Sequence, residues 1–271
     1  MRSLVPVFLV FAILLSILPA GVMAQPASGS NPLTDSVKKP AGAAGLTGVL
    51  SALPGAGGVF TRNVPVTTPL PFGDAHHPIL DELLLGNQRF QNDVYNSSYE
   101  RYQELAAAQN PGVLWIGCSD SRSDPESITD ADPGEIFVTR NVGNIVPNHD
   151  WSLAAVLEYS INYLNVREII ICGHSDCGAM KALDAHLTDP YIPLWLNDAQ
   201  EAQVRVDSRI PVPVTAEEKA ERAREIELEN VRLQVEHLLT YPTVRDAVAE
   251  GRIQVHGLYY NLSTGALSQV V

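Results

Sequence analysis

An α/β domain built around a mainly parallel sheet is predicted for residues 79–271, and three observations predict it. Short apolar, β-branched runs recur at 112–117 (GVLWIG), 135–141 (EIFVTRN), 167–174 (REIIICGH) and 252–262 (RIQVHGLYYNL). Helical patterns separate them, and strands separated by helices pair in parallel through crossovers rather than as hairpins. Apolar residues make up 45% of the 271-residue chain, enough for one good-sized core once the terminal segments are set aside.

The elements follow in order. Residues 1–24 carry Arg2, an apolar run from Leu4 to about Leu18 and small residues before Ala24, the pattern of a cleaved secretory signal peptide. Residues 25–78 are rich in Pro, Gly, Ala, Ser and Thr without sustained period and read as an arm or linker. Folding is expected to begin near His77 and Pro78, where Ile79, Leu83 and Phe90 fall at near-helical spacing; His76 and His77 read as surface. SYERYQELAAA at 98–108 is a second helix candidate, and DWSLAAVLEYSINYLN at 150–165 a third, with Asp150 as N-cap. Asp124 is expected to cap the turn after the second candidate's following strand. At 215–239, Thr215 and Glu218 form a capping box, Ile226, Val231, Val235 and Leu238 face inward, and the charges form a solvated face.

A net charge of −13 excludes the basic footprint of a nucleic-acid binder and suits a small neutral or diffusible substrate. Export without stable membrane insertion is expected after removal of the leader. The sequons at Asn96 and Asn261 would then be open to glycosylation. Exported chains commonly pair an even set of cysteines, but this one has three, Cys118, Cys172 and Cys177. Another use for thiolates is therefore expected, with Cys172, inside an apolar run, as a core residue.

Ligands of open parallel sheets sit beyond the carboxyl ends of the strands. GVLWIG delivers Cys118 there, and REIIICG delivers His174, with Cys177 at the start of a helix. Two thiolates and an imidazole suit Zn²⁺ and leave one tetrahedral position open, as in catalytic sites. Asp120 can orient a water at that position, and Arg122 can keep Asp120 ionised. Released from Arg122, Asp120 could itself become a fourth ligand and shut the site. Asp176 reads as a carboxylate supporting the loop. A metal-free alternative makes Cys118 a nucleophile activated by His174 and Arg122.

CSDSR at 118–122 together with HSDCGA at 174–179 resembles the β-class carbonic anhydrases, as do GNQRF, PGE, TRNVGN, LEYSI and ICGH between residues 79 and 262. The resemblance implies reversible hydration of CO2 to bicarbonate and a proton by a zinc-bound hydroxide, one Zn²⁺ per subunit on Cys118, His174 and Cys177, and self-association as a dimer or tetramer. It implies that Asp120 and Arg122 are catalytic. Gln109 would donate a hydrogen bond to substrate, Phe137, Val142 and Tyr159 would line an apolar pocket partly across a subunit interface, and Gly178 would offer a backbone N–H. In a bicarbonate-regulated (type II) subgroup, residues matching Trp115, Arg140 and Tyr260 hold a non-catalytic bicarbonate. The expectation here is likewise of regulation, and of a secreted enzyme. Rival readings are a carbonyl sulfide or carbon disulfide hydrolase on the same fold, and a catalytically silent secreted zinc-binding module.

Overall fold

The computed structural model describes residues 78–271. The signal peptide expected at 1–24 and the arm expected at 25–78, including His76 and His77, lie outside the described residues except for Pro78, which opens the first helix.

Helix α1 spans Pro78–Phe90, a π-helical turn follows at Gln91–Tyr95, and α2 spans Tyr99–Ala107. Then come β1 (Val113–Cys118), α3 (Pro125–Thr129), β2 (Ile136–Asn141), α4 (Trp151–Asn162) and β3 (Glu168–His174). The chain continues through α5 (Gly178–Ala182), α6 (Ile192–Asp207), α7 (Ala216–Leu238), α8 (Pro242–Ala249), β4 (Gln254–Asn261) and β5 (Ala266–Gln269). The sheet order is β2-β1-β3-β4-β5, parallel throughout except that β5 runs antiparallel to β4.

The four expected strands form within a residue or two of their predicted bounds. Central β1 buries Leu114, Trp115 and Ile116 in succession, as a strand covered on both faces must. Leu153, Leu157 and Ile161 of α4 pack with Leu114, Ile116, Ile169 and Ile171 of the strands, and Leu238 and Val244 join them. Asp150 caps α4 by accepting the N–H groups of Ser152 and Leu153, and Asp124 caps α3 by accepting that of Ser127. Thr215 and Glu218 form the capping box of α7.

Two expectations need correction. On α7, Ile226, Val231, Val235 and Leu238 are buried as predicted, but so are Glu227, Glu229, Asn230 and Gln234. The solvated face is therefore narrower than the charge pattern suggests, because ion-pair and hydrogen-bond partners satisfy these groups. Glu229 takes Arg205, Arg209 and Arg232, and Gln234 accepts the N–H of Val146. Helix α1 forms over the predicted residues but buries none of its side chains in this chain. Its periodicity made a helix without supplying anything for its apolar positions to pack on.

Glycines set how closely α7 approaches the sheet. A Cβ on Gly173 of β3 would stand 2.6 Å from Val231 Cγ2, and one on Gly257 of β4 would stand 2.7 Å from Val231 Cγ1. Side chains at either position would push α7 off the strands. Seated against them, the helix places its first buried turn over the end of β3.

Candidate metal centre

Strand register explains the assembly of the site. Gly117 of β1 pairs with Cys172 of β3, so Cys118 and His174 leave adjacent strands at the same end of the sheet. Cys177 follows His174 after a turn in which Asp176 adopts a left-handed φ of 62°. The ligand atoms of Cys118, His174 and Cys177 lie within 4.8 Å of one another, and all three residues are buried.

This cluster fits a divalent metal. The Nδ1 of His174 lies 2.9 Å from the Ser175 carbonyl and is fixed by it, while Nε2 is buried with no hydrogen-bond partner. An orphaned imidazole nitrogen beside two thiols is a ligand awaiting a cation, since a buried polar atom otherwise finds a partner. The two cysteines titrate as a pair. A hydrogen bond from Cys177, and then the neighbouring His174 imidazole, hold Cys118 well below the ordinary thiol range, while the Cys118 thiolate keeps Cys177 protonated to well above it. Backbone N–H groups of Gly143 and Asp120 also point to Cys118 Sγ, at 3.3 and 3.4 Å. Burial opposes charge on His174, but Cys118 and the Ser175 carbonyl raise its pKa overall. A dication can replace the proton shared among these groups.

Asp120 stands beside the cluster, with a carboxylate oxygen 3.9 Å from His174 Nε2. Arg122 grips that carboxylate in two places, Nε to Oδ1 at 2.9 Å and Nη2 to Oδ2 at 2.7 Å, and its own backbone N–H donates to Oδ1 as well. The guanidinium holds the Asp120 carboxyl well below the usual carboxylate range. Arg122 also donates to Asp176, whose other oxygen is taken by Lys181. The loop after β1 is thereby tied to the loop after β3.

The remaining singled-out residues do not all meet at this end of the sheet, and Phe137 pairs with Leu114, four residues before Cys118 on the neighbouring strand. Phe137 and Tyr159 lie together, ring centroids 5.8 Å apart, and Val142 is 52% exposed. Gly178 opens α5 next to Cys177, with nothing within 4 Å of where its Cβ would be. Gln109 lies exposed between α2 and β1, with no hydrogen bond to the cluster among the described residues. Trp115 and Arg140 meet over Gly117, whose Cβ would stand 2.8 Å from the indole Nε1 and 3.8 Å from Arg140 Cγ. Arg140 Nε donates to the Cys118 carbonyl at 2.7 Å, and its Nη2 to that of Asp120. Tyr260 is on β4, in register with His174, and no hydrogen bond joins it to Trp115 or Arg140. Cys172 is a buried core thiol whose pKa desolvation pushes up to about 12. The sequence reading missed Gly143 and Glu227. NVGN at 141–144 signalled a turn, but not that Gly143, with φ of 85°, would aim its N–H at Cys118.

The family model for carbonic anhydrase matches residues 113–267. The chain belongs to the β-carbonic anhydrase family. A carbonic anhydrase of Pseudomonas aeruginosa is 36% identical over 195 residues, 69% of this chain and 85% of that protein. Among solved structures, a tetrameric β-carbonic anhydrase of the ascomycete Sordaria macrospora matches with a TM-score of 0.65 at 31% identity, covering 71% of this chain and 97% of that one. The Coccomyxa β-carbonic anhydrase, solved with acetazolamide, matches with a TM-score of 0.64 at 32% identity, covering 70% and 85%. β-Carbonic anhydrases are zinc enzymes that interconvert carbon dioxide and bicarbonate, and Cys118, His174 and Cys177 offer such an ion its donors.

Proposed function

We propose that this β-carbonic anhydrase hydrates carbon dioxide at the Cys118–His174–Cys177 centre with Asp120 and Arg122 as its working residues. The observation that carries this is the ionised Asp120 carboxylate, 3.9 Å from the unpartnered Nε2 of His174. Zinc held by Cys118, His174 and Cys177 would supply a Lewis acid that makes water nucleophilic near neutral pH. Asp120, with its pKa depressed by Arg122, is a poor base and a good hydrogen-bond acceptor, so it orients the attacking water rather than taking its proton. Arg122 holds the carboxylate in that orientation through its two guanidinium bonds and its backbone N–H. Phe137, Val142 and Tyr159 offer neutral carbon dioxide an apolar wall. Val142 and Tyr159 are 52% and 37% exposed in a single chain, and a second copy would close the pocket.

Self-association is supported by a second exposed apolar surface. Helix α1 presents Ile79, Leu83 and Leu84 at 78%, 67% and 56% exposure, an apolar face that a dimer or higher assembly would cover. Trp115 and Arg140 sit above Gly117, and Arg140 holds the carbonyls of the Cys118 loop, so bicarbonate recruited there with Tyr260 would act on the loop that carries Asp120. Hydration rates unchanged by added bicarbonate at constant ionic strength would remove this regulatory part. The leader pattern supports secretion, and a mature N-terminus directly after Ala24 in culture medium is its test. No described helix is long and apolar enough to cross a membrane. Asn96 is exposed and Asn261 half-buried, so glycosylation after export would favour Asn96, read as a mass loss on deglycosylation.

Stopped-flow hydration of carbon dioxide by metal-analysed protein, wild type beside Asp120→Ala, tests the main reading. Zinc should be retained in the variant while kcat falls about 10²-fold, as expected when the attacking water loses its orientation. Background hydration by fully zinc-loaded wild type would reject it.

A further inference from the structure

We infer that Glu227 and Tyr259 are positioning residues for the metal centre: a buried carboxylate on α7, itself held by a strand tyrosine, fixes the backbone of Cys177. The inference rests on the zinc reading above and extends it to residues that touch neither metal nor substrate.

Glu227 is 4% exposed, yet no Lys or Arg among the described residues pairs with it. Glu229, one residue pair further along the same helix, is equally buried but takes three arginines. Burying a carboxylate is costly unless its oxygens are used, and each oxygen of Glu227 is. Oε1 accepts the Cys177 backbone N–H at 3.0 Å, and Oε2 accepts the Tyr259 hydroxyl at 2.7 Å. Tyr259, 3% exposed, pairs in register with Gly173, next to His174.

The rest of the turn between His174 and Cys177 is stitched from the strand side. The Ser175 N–H donates to the Tyr260 carbonyl at 2.9 Å, and the Leu262 N–H donates to Ser175 Oγ at 2.8 Å. The helix side has Glu227. Cys177 sits at the N-cap of α5 with no capping side chain of its own, so the carboxylate is what holds its N–H and with it the direction of Sγ towards Cys118. The close seat of α7 on Gly173 and Gly257 brings Glu227 within reach, one helical turn before Val231. The centre is thus held in its liganding shape by the fold rather than drawn together by the ion. Partners that orient metal ligands typically carry 10–100-fold of metal affinity.

The experiment follows zinc release from the full, zinc-loaded enzyme into excess chromogenic chelator for wild type, Glu227→Gln, Glu227→Leu, Tyr259→Phe and Tyr241→Phe. Tyr241 supplies the control, because its buried hydroxyl donates to the Pro147 carbonyl, outside the metal loops. Glu227→Leu and Tyr259→Phe should release zinc about 10-fold faster or more. Glu227→Gln keeps an acceptor for the Cys177 N–H and should be milder, and Tyr241→Phe should match wild type. If Glu227→Leu does not fold, Tyr259→Phe decides alone, since it keeps the packed ring. Wild-type release rates in Tyr259→Phe, or equal acceleration in Tyr241→Phe, would overturn the inference. A wild-type enzyme purified without stoichiometric zinc would instead overturn the metal reading, and the inference with it.

Discussion

Cys118, His174 and Cys177, at the carboxyl end of the sheet, are 6%, 1% and 1% exposed, and hydrogen bonds with β2, β4 and α7 close the loops around them. At the other extreme, α1 leaves Ile79 78% and Leu83 67% exposed and buries nothing. One region is closed by the loops around it, and the other leaves an apolar stripe uncovered among the described residues. The contrast separates two kinds of apolar periodicity: a buried stripe answers to its own core, whereas an exposed one answers to another molecule.

Perturbing each region should give a different signature. The largest effect is expected of His174→Ala, which removes the imidazole ligand and leaves a cavity between two thiols. Zinc by metal analysis should fall to background, and carbon dioxide hydration with it, while the assembly measured by light scattering persists. Leu83→Glu with Leu84→Glu should do the reverse, shifting the assembly to smaller particles at micromolar concentration with zinc still bound. Retention of the full assembly would break the comparison, since α1 would then be exposed by design.

Smaller effects probe how the closed region is built. Gly173→Ala places a Cβ 2.6 Å from Val231 Cγ2. Overpacking there should cost about 1–3 kcal/mol in denaturant unfolding, and adding Val231→Ala should recover part of it. The smallest effects belong to the ion pairs of α6 and α7. Arg222 lowers the pKa of Asp207, and Arg205 lowers that of Glu236. Each folded pKa lies below its unfolded value, so the stability is present above about pH 4 and is lost as pH falls through the folded values. Solvent screening keeps each pair near 0.2–1 kcal/mol. A urea midpoint that stays constant from neutral to acid pH would show that they contribute nothing.

Legibility in the sequence followed the range of the interactions involved. β1, β3 and α4 were readable because period and capping are local, and Asp150 and Thr215 cap where their spacing says. Cys118, His174 and Cys177 were readable because strand exits in a parallel sheet fall at one end. Asp120 and Arg122 stand only two positions apart. Glu227 was hidden, because its partners are Cys177, 50 residues before it, and Tyr259, 32 residues after, and in isolation it looks like any acid on a charged helix. β5 was missed since its four exposed residues carry no alternation. The exposure of α1 was likewise out of reach, because a helical stripe does not say which molecule it will pack against.

The position of β2 has a consequence for the life of the newly made chain. Among the described residues it pairs with β1 on one side only, and its six residues are half-buried, with Phe137 packed near Tyr159. A freshly synthesised subunit therefore displays an open row of strand amides and carbonyls beside apolar side chains, the template on which unrelated chains mispair. Production of this protein is then a race between encounter with a proper mate and adhesion to a wrong one. Crowding many unfinished copies together raises the odds of the second outcome, and slowing synthesis favours the first.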